Sequence, residues 1–314
     1  MHVAIADPSR TVAKCLTAIL ESHNHEVRSF RDGIEALDYI KSNQFVDVLI
    51  ASSQLLSMTG PELCWETRLI AKSGRPLYII LMSSTEDRNN LVKALDGGAD
   101  DFIRKPPVAE ELAARLRAAD RVVSMQRELQ RNATTDSLTG VLNRRAFFAN
   151  AREMCERADA GNFFSAVMLD VDHFKRINDS YGHGFGDDVL VAIAHEISEE
   201  GSTIGRLGGE EFAVLLDNAQ LYNAVEIAES MRTRVRNLKF RRDSETISVT
   251  CSFGVSQWQS GDQIDYLLRR ADVALYKAKT EGRDRVLSAT SMSDSTNYDS
   301  LTSVVRSGDW NLRG

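Results

Sequence analysis

The sequence predicts an α/β protein of two units: an N-terminal (βα)5 doubly wound domain on a parallel sheet, then, beyond a connector helix, a mixed α+β domain. Three observations predict it. Short β-branched runs alternate with helix-period segments over residues 1–107, one uninterrupted helical pattern fills residues 108–132, and a glycine pair later separates two strand patterns. Parallel strands need helical crossovers, whereas a tight glycine turn joins antiparallel neighbours. The 314 residues suit about two domains at roughly 100–200 residues each. A hydrophobic content of 43% gives both a core.

In the first domain the strand runs are Val3–Ala6, Val27–Phe30, Val46–Ala51, Leu77–Met82 and Phe102–Arg104, each followed by a helical pattern. Ligands on such sheets gather at the carboxyl ends of the strands. Those ends are Asp7, Ser52 and Ser53, Ser83 and Ser84, and Lys105. The connector carries apolar residues at Leu112, Leu116, Ala119 and Val123, then at Val122, Met125 and Leu129. Steps of four and three make a narrow stripe whose phase drifts, which fits either a two-chain coiled-coil stalk or a helix lying on its own domain.

The second domain, residues 133–287, opens near Asp136. Phe163–Asp170 reads as a strand ending in acid, and Asp187–Glu199 as a helix with Leu190, Ile193, Ala194 and Ile197 inward. Ser202–Leu207 and Glu210–Leu216 read as strands joined by Gly208 and Gly209, since glycine takes positive φ freely. A helix follows near Tyr222–Leu238, then a half-buried strand over Thr246–Val255 with Ile247, Val249, Cys251, Phe253 and Val255 alternating. The last helix, Ile264–Thr280, stops at Gly282. Residues 288–314 are rich in Ser, Thr, Asn and Asp and read as a flexible tail.

Composition excludes several classes of function. The 38 basic and 45 acidic side chains leave a net charge of -7 without a basic run, which disfavours a DNA groove or an anionic membrane. A DNA-binding regulator would also need a helix-turn-helix pattern after the connector, and none is present. The longest apolar stretch, Pro76–Met82, falls far short of the roughly 20 residues of a membrane span, and the first residues lack a secretory pattern. Four cysteines without a CxxC, and six histidines out of register with them, argue against zinc and disulfides. A reducing cytoplasm is the expected location.

The chemistry of the second domain starts from its acids. Asp170 and Asp172 sit where a buried strand runs out, and Glu210 and Glu211 follow the glycine turn. If those strands are neighbours, three or four carboxylates meet at one sheet edge, a hard-oxygen set suited to Mg²⁺ and phosphates. The segment RLGGEEF (Arg206–Phe212) resembles the signature of the GGDEF family of diguanylate cyclases. DSLTGVLNRRAF (Asp136–Phe147), DVDHFKRINDSYGHGFGDDVL (Asp170–Leu190), SFGVS (Ser252–Ser256) and ADVALYKAKTEGRDR (Ala271–Arg285) match further blocks of that family in order and spacing.

The resemblance implies a nucleotidyl-cyclase-like fold that joins two GTP into cyclic di-GMP. It implies two Mg²⁺ (or Mn²⁺) per site, held by Asp170, Glu210, Glu211 and the carbonyl of Val171. Asn178 and Asp187 would read the guanine edge, and Lys279 and Arg283, four apart on the last helix, would clamp the triphosphate. Phe174, Lys175, Gly208 and Gly209 would shape the pocket. One GTP cannot cyclise with another in a single such pocket, so two half-sites facing each other make a homodimer part of the active site. The family's inhibitory RxxD pair is absent, because its positions are Glu199 and Ser202. An acid there repels an anionic product, so product inhibition through that site is not expected. A catalytically silent module binding GTP or cyclic di-GMP is the alternative; such members usually lose the metal acids or glycines, all of which are present here.

The first domain resembles a response-regulator receiver at Asp7, Ser84, Lys105–Pro106 and the MTG of Ser57–Gly60. The phosphoacceptor aspartate expected eight residues before Gly60 is replaced by Ser52, and the acidic pair after the first strand is reduced to Ala6 and Asp7. Serine lacks the carboxylate that accepts phosphoryl groups and ligates Mg²⁺, and Asp47 lies at the wrong end of its strand. The implied module is a pseudo-receiver acting through dimerisation or a protein partner; phosphorylation of Ser52, Ser53 or another residue is its rival.

Overall fold

A computed structural model describes residues 1–71, 74–84, 97–159, 163–199, 201–242 and 245–289. It divides into two compact units, Met1–Arg131 and Asn132–Gly314.

In the first unit, β1 (His2–Ala6), β2 (Glu26–Phe30), β3 (Val46–Ser52), β4 (Tyr78–Ser83) and β5 (Asp101–Arg104) form a sheet in the order β2-β1-β3-β4-β5. Every pairing is parallel. β3 and β4 are buried at every position, which explains why they are continuous apolar runs without alternation. Helices α1 (Arg10–Ser22), α2 (Gly33–Ser42), α3 (Gly60–Ala71) and α4 (Ala109–Thr134) flank them. One core lies between the sheet and α2 and α3, the other between the sheet and α1 and α4. The helical pattern after β4 falls on residues outside those described.

The connector pattern belongs to α4, and its two stripes have different fates. Leu112, Leu116, Ala119 and Val123 are buried in the first unit's own core. Val122, Met125 and Leu129 remain exposed. Arg127 reaches back to the buried carboxylate of Asp47 at the start of β3.

In the second unit, β6 (Leu142–Asn143), β7 (Phe164–Val171), β8 (Ser202–Gly208), β9 (Glu211–Asp217), β12 (Cys251–Gln257) and β13 (Val286–Ser288) build one sheet. Their order is β13-β12-β7-β9-β8-β6, while β10 (Phe240–Arg242) and β11 (Glu245–Ile247) form a separate ribbon. Helices α7 (His183–Glu196) and α8 (Leu221–Asn237) cover one face, and α5 (Arg144–Asp159) and α9 (Ile264–Thr280) the other. The short α6 (Phe174–Tyr181) leads from β7 into α7.

Three expectations are corrected. The hairpin turn is Gly209 and Glu210, because an irregularity between Arg206 and Gly208 shifts the register and pairs Gly208 with Glu211. The single strand over Thr246–Val255 is two: β11 pairs with β10, and β12 begins only at Cys251. Alternation persists across that break because Ile247 before it, Val249 within it and Cys251 after it are all buried. The tail was expected from Ser288, yet Ser288 closes β13, parallel to β12; the rest of the tail, 290–314, lies outside the described residues. Among the described residues, no helix is long and apolar enough to cross a membrane.

Candidate functional site

The site grows from the centre of the second sheet. β7 is flanked by β12 and β9, so its carboxyl end is desolvated as its first strand-end acid emerges. Asp170 is 7% exposed and stands opposite Glu211 in the antiparallel register. Lys279, in the last turn of α9, places Nζ 2.7 Å from Asp170 Oδ2. Burial, reinforced by the charges of Glu210 and Asp172, outweighs that cation and pushes the Asp170 carboxyl up to about 6. Glu211 is also raised, by burial first and then by Asp170 and Asp272. Asp272 is itself raised by burial, with Lys279 opposing.

This donor set suits a divalent cation. Buried carboxylates that raise one another gain most from a positive charge, and oxygen donors are the ligands Mg²⁺ prefers. Among the described residues, no three such side chains converge into a ready-made cluster. Mg²⁺ usually takes one or two carboxylates and completes its shell with water and substrate phosphates, so a partial set is compatible. Asp272 escaped the sequence reading; its only signal was a spacing of seven before Lys279, two helical turns on one face.

Asp172 does not join the set. Its carboxylate accepts the hydroxyls of Thr250 and Ser252, each at 2.7 Å, and the backbone N–H of Asp284 at 3.1 Å. Its lone pairs are spent tying β7 to β12 and to the loop after α9.

The turn beside the acids is braced from outside. Gly209 adopts φ 48, and its carbonyl accepts Arg206 Nε at 2.9 Å. Arg206 Nη1 also donates to Asp136 at 3.0 Å. Against the cost of burial, hydrogen bonds from Thr139 and Arg206 hold the Asp136 carboxyl below the usual range. Sequence reading found Asp136 and Arg206 only as parts of motifs, without this contact.

Asn178 on α6 faces Gly186 on α7. Its Oδ1 is buried without a hydrogen-bond partner among the described residues. A Cβ on Gly186 would lie 1.9 Å from that oxygen and 3.2 Å from Phe174 Cζ, so a larger residue there displaces the Asn178 amide. Asp187, next to Gly186, is exposed, as are Lys175, Gly208 and Gly209. Glu210 is half-buried at the turn, and Val171 is buried.

Arg283 does not share a helix face with Lys279. α9 ends at Thr280, Gly282 takes φ 118, and the Arg283 N–H donates to Ala278 O at 2.9 Å, a left-handed helix stop. Glu199 is ion-paired with Arg234 of α8, and Ser202 Oγ donates to Glu199 O at 2.8 Å.

At the carboxyl edge of the first sheet, fully buried Asp7 pairs with Lys105. Lys105 Nζ donates to Ser52 Oγ at 2.7 Å, and Ser52 donates to Gln54 O at 2.8 Å. Ser84 is exposed at the bend after β4.

Comparison with known proteins agrees with both halves. Residues 133–285 match the family described as diguanylate cyclase, GGDEF domain, and residues 3–117 the response regulator receiver domain. The chain is 34% identical over 256 residues to the response regulator PleD of Caulobacter vibrioides, covering 77% of this chain and 56% of PleD. It is 42% identical over 182 residues to the diguanylate cyclase VdcA of Vibrio cholerae, covering 55% of this chain and 53% of VdcA. Another Vibrio cholerae diguanylate cyclase is 33% identical over 256 residues, 79% of this chain and 74% of that protein. The chain thus spans about half the length of PleD and VdcA. Among solved structures, the coiled coil and GGDEF domain of DgcB from Caulobacter crescentus, in complex with c-di-GMP, superposes with a TM-score of 0.53 at 30% identity. That match covers 57% of this chain and 98% of the DgcB chain.

Proposed function

Because this chain belongs to the GGDEF family of diguanylate cyclases, with a receiver domain ahead of the cyclase unit, we propose that it condenses two GTP into cyclic di-GMP and releases two pyrophosphates. The observation that carries this reading is the register of β7 and β9, which sets Asp170 opposite Glu211 at the mouth of the glycine turn. Around it are two acids with raised pKa, buried Asp170 and half-buried Glu211, with one lysine and an orphaned amide oxygen.

Asp170, Glu210, Glu211 and the Val171 carbonyl would hold two Mg²⁺ (or Mn²⁺). When bound, the cations acidify the attacking 3′-hydroxyl and neutralise charge on the leaving oxygens. The chain's own residues orient the reactants. Asn178 and Asp187 take the guanine edge, and their place on α6 and α7 supports a base site beside the acids. Lys279 and Arg283 take the triphosphate, with Phe174, Lys175, Gly208 and Gly209 around it. In each of two identical steps a 3′-oxygen bonds to the α-phosphorus of the other GTP, the hydroxyl proton departs, and pyrophosphate leaves with its electron pair. Glu210 is the residue placed in sequence to take that proton or to hold the cation that acidifies it. Two GTP held on two copies of the chain make the homodimer the catalytic unit.

The receiver regulates without aspartyl phosphorylation in this reading. Ser52 offers no carboxylate, and its hydroxyl is engaged by Lys105 and Gln54. Dimerisation or a protein partner then carries the signal. The test is to incubate the purified chain with GTP and Mg²⁺, identify products by chromatography, and repeat with Glu210→Ala. Cyclic di-GMP from the parent and none from the variant is expected. Tight GTP binding without product at any protein concentration would overturn the enzyme reading in favour of a silent binding module.

A further inference from the structure

The loop after α9 contains two consecutive residues in the left-handed region, Arg283 at φ 62 and Asp284 at φ 45. Asp accepts that conformation readily, because its short side chain can bond locally, whereas Arg rarely does. The conformation of Arg283 must therefore be imposed by its surroundings. Those surroundings converge on Asp284. Its N–H donates to Asp172 Oδ2 at 3.1 Å, its Oδ1 accepts Arg232 Nη1 at 2.8 Å, and its Oδ2 lies 3.4 Å from Arg236 Nη1. Asp172 is in turn fixed to Thr250 and Ser252, and Arg232 is held by Glu229 at 2.8 Å. The loop is thus clamped between Asp172, just past the end of β7, and α8.

We propose that Asp284 is a positioning residue that aims Arg283 at the substrate phosphates, with Asp172 and Arg232 as the two jaws holding it. The proposal rests on the reading that Arg283 meets the triphosphate, and it adds what directs that side chain. An arginine contributes a planar fork whose bidentate contact depends on direction, so a loop free to rotate wastes it. Lys279 and Arg283 would then serve one ligand from different backbone contexts. Lys279 is aimed by the helix, and Arg283 by this clamp.

The experiment uses the full chain and reads two quantities: Kd for a non-hydrolysable GTP analogue, and KM and kcat from pyrophosphate release. Asp284→Ala is expected to raise Kd and KM about five- to tenfold, a partial loss of one charge-assisted contact, with kcat changed less than about twofold. Asp284→Asn keeps both the left-handed tolerance and an oxygen for Arg232, and is expected to return Kd to within about twofold of the parent. In an Arg283→Ala background, Asp284→Ala should add nothing, because the side chain it aims is gone. Should Asp284→Ala fail to fold, Arg232→Gln releases the same carboxylate from the α8 side and is expected to raise Kd in the same direction.

An unchanged Kd in Asp284→Ala, or an equal effect with and without Arg283, overturns the proposal while the cyclase reading stands. An Arg283→Ala chain that binds the analogue like the parent removes Arg283 from the site and the proposal with it. A parent chain that binds no analogue overturns the cyclase reading itself.

Discussion

Replacing Gly186 with alanine separates fold from guanine recognition. The added Cβ would sit 1.9 Å from Asn178 Oδ1 and 3.1 Å from Asn178 Cγ, well inside van der Waals contact. The colliding atom is the tip of a side chain with two free torsions, so the amide can rotate away while α6 and α7 stay in place. Gly186 lies within α7, where alanine is favoured over glycine by up to about 1 kcal/mol. Thermal stability should therefore hold or rise. The displaced Oδ1 is the buried, unpartnered atom proposed to meet the base. Losing one hydrogen bond to a desolvated partner costs about 1–3 kcal/mol, or roughly 5- to 150-fold in affinity. Calorimetric titration with non-hydrolysable GTP and ATP analogues should show GTP affinity falling by that factor, with GTP-over-ATP selectivity reduced in step. Asn178→Ala made in the Gly186→Ala background should cost nothing more. A Gly186→Ala chain with parental affinity and selectivity would refute the assignment of Asn178 to the base.

Three further outcomes are expected. Asp170 rises from 3.8 to about 6 in the folded chain, so the folded state binds the proton more tightly than the unfolded one. That share of stability is fully present below the unfolded value and is lost as pH rises through about 6, about 3 kcal/mol in all. With chelator present, the stability of the parent relative to Asp170→Asn should therefore fall between about pH 4 and pH 7; a flat difference in denaturant titrations would contradict the burial argument. Acetyl phosphate with Mg²⁺ should leave the intact mass unchanged, because the hydroxyl of Ser52 is bonded to Lys105 and Gln54; stable gain of one phosphoryl group would refute the pseudo-receiver reading. Cyclic di-GMP should not inhibit through the position of Glu199, whose carboxylate already pairs with Arg234; submicromolar inhibition abolished by Glu199→Ala would count against this.

Legibility in the sequence followed the range of the interactions involved. The five strands of the first unit and the helix Ile264–Thr280 were readable because burial and helix period are local patterns. The pairing of Asp170 with Glu211 was readable as a condition, since it needed only that two strands be neighbours. The one-residue slip at Gly208 was not, because an irregular pairing leaves the alternation of apolar residues intact on both sides. Arg283 was misplaced onto the helix because spacing of four is indistinguishable from helix continuation until the left-handed Gly282 intervenes. In α4 both apolar stripes were visible, but which one met the core depended on α1 and the sheet, far away in sequence.

Asp170 and Asp172 show most sharply where sequence and chemistry part. They are two residues apart where β7 runs out, Asp170 inside the strand and Asp172 just beyond its last residue, and the sequence alone does not distinguish them. Their difference comes from partners 78, 80 and 112 residues distant, Thr250, Ser252 and Asp284, whose donors fill the oxygens of Asp172 alone. A carboxylate acts as a structural tie when such donors saturate it, and has little left for a cation. Asp170 is given one lysine and otherwise faces acids, so its ionised form is left under-compensated by the protein. Burial without saturation keeps an acid available to a ligand that brings positive charge, and β7 supplies it one residue pair away from the acid that holds the loop of Arg283.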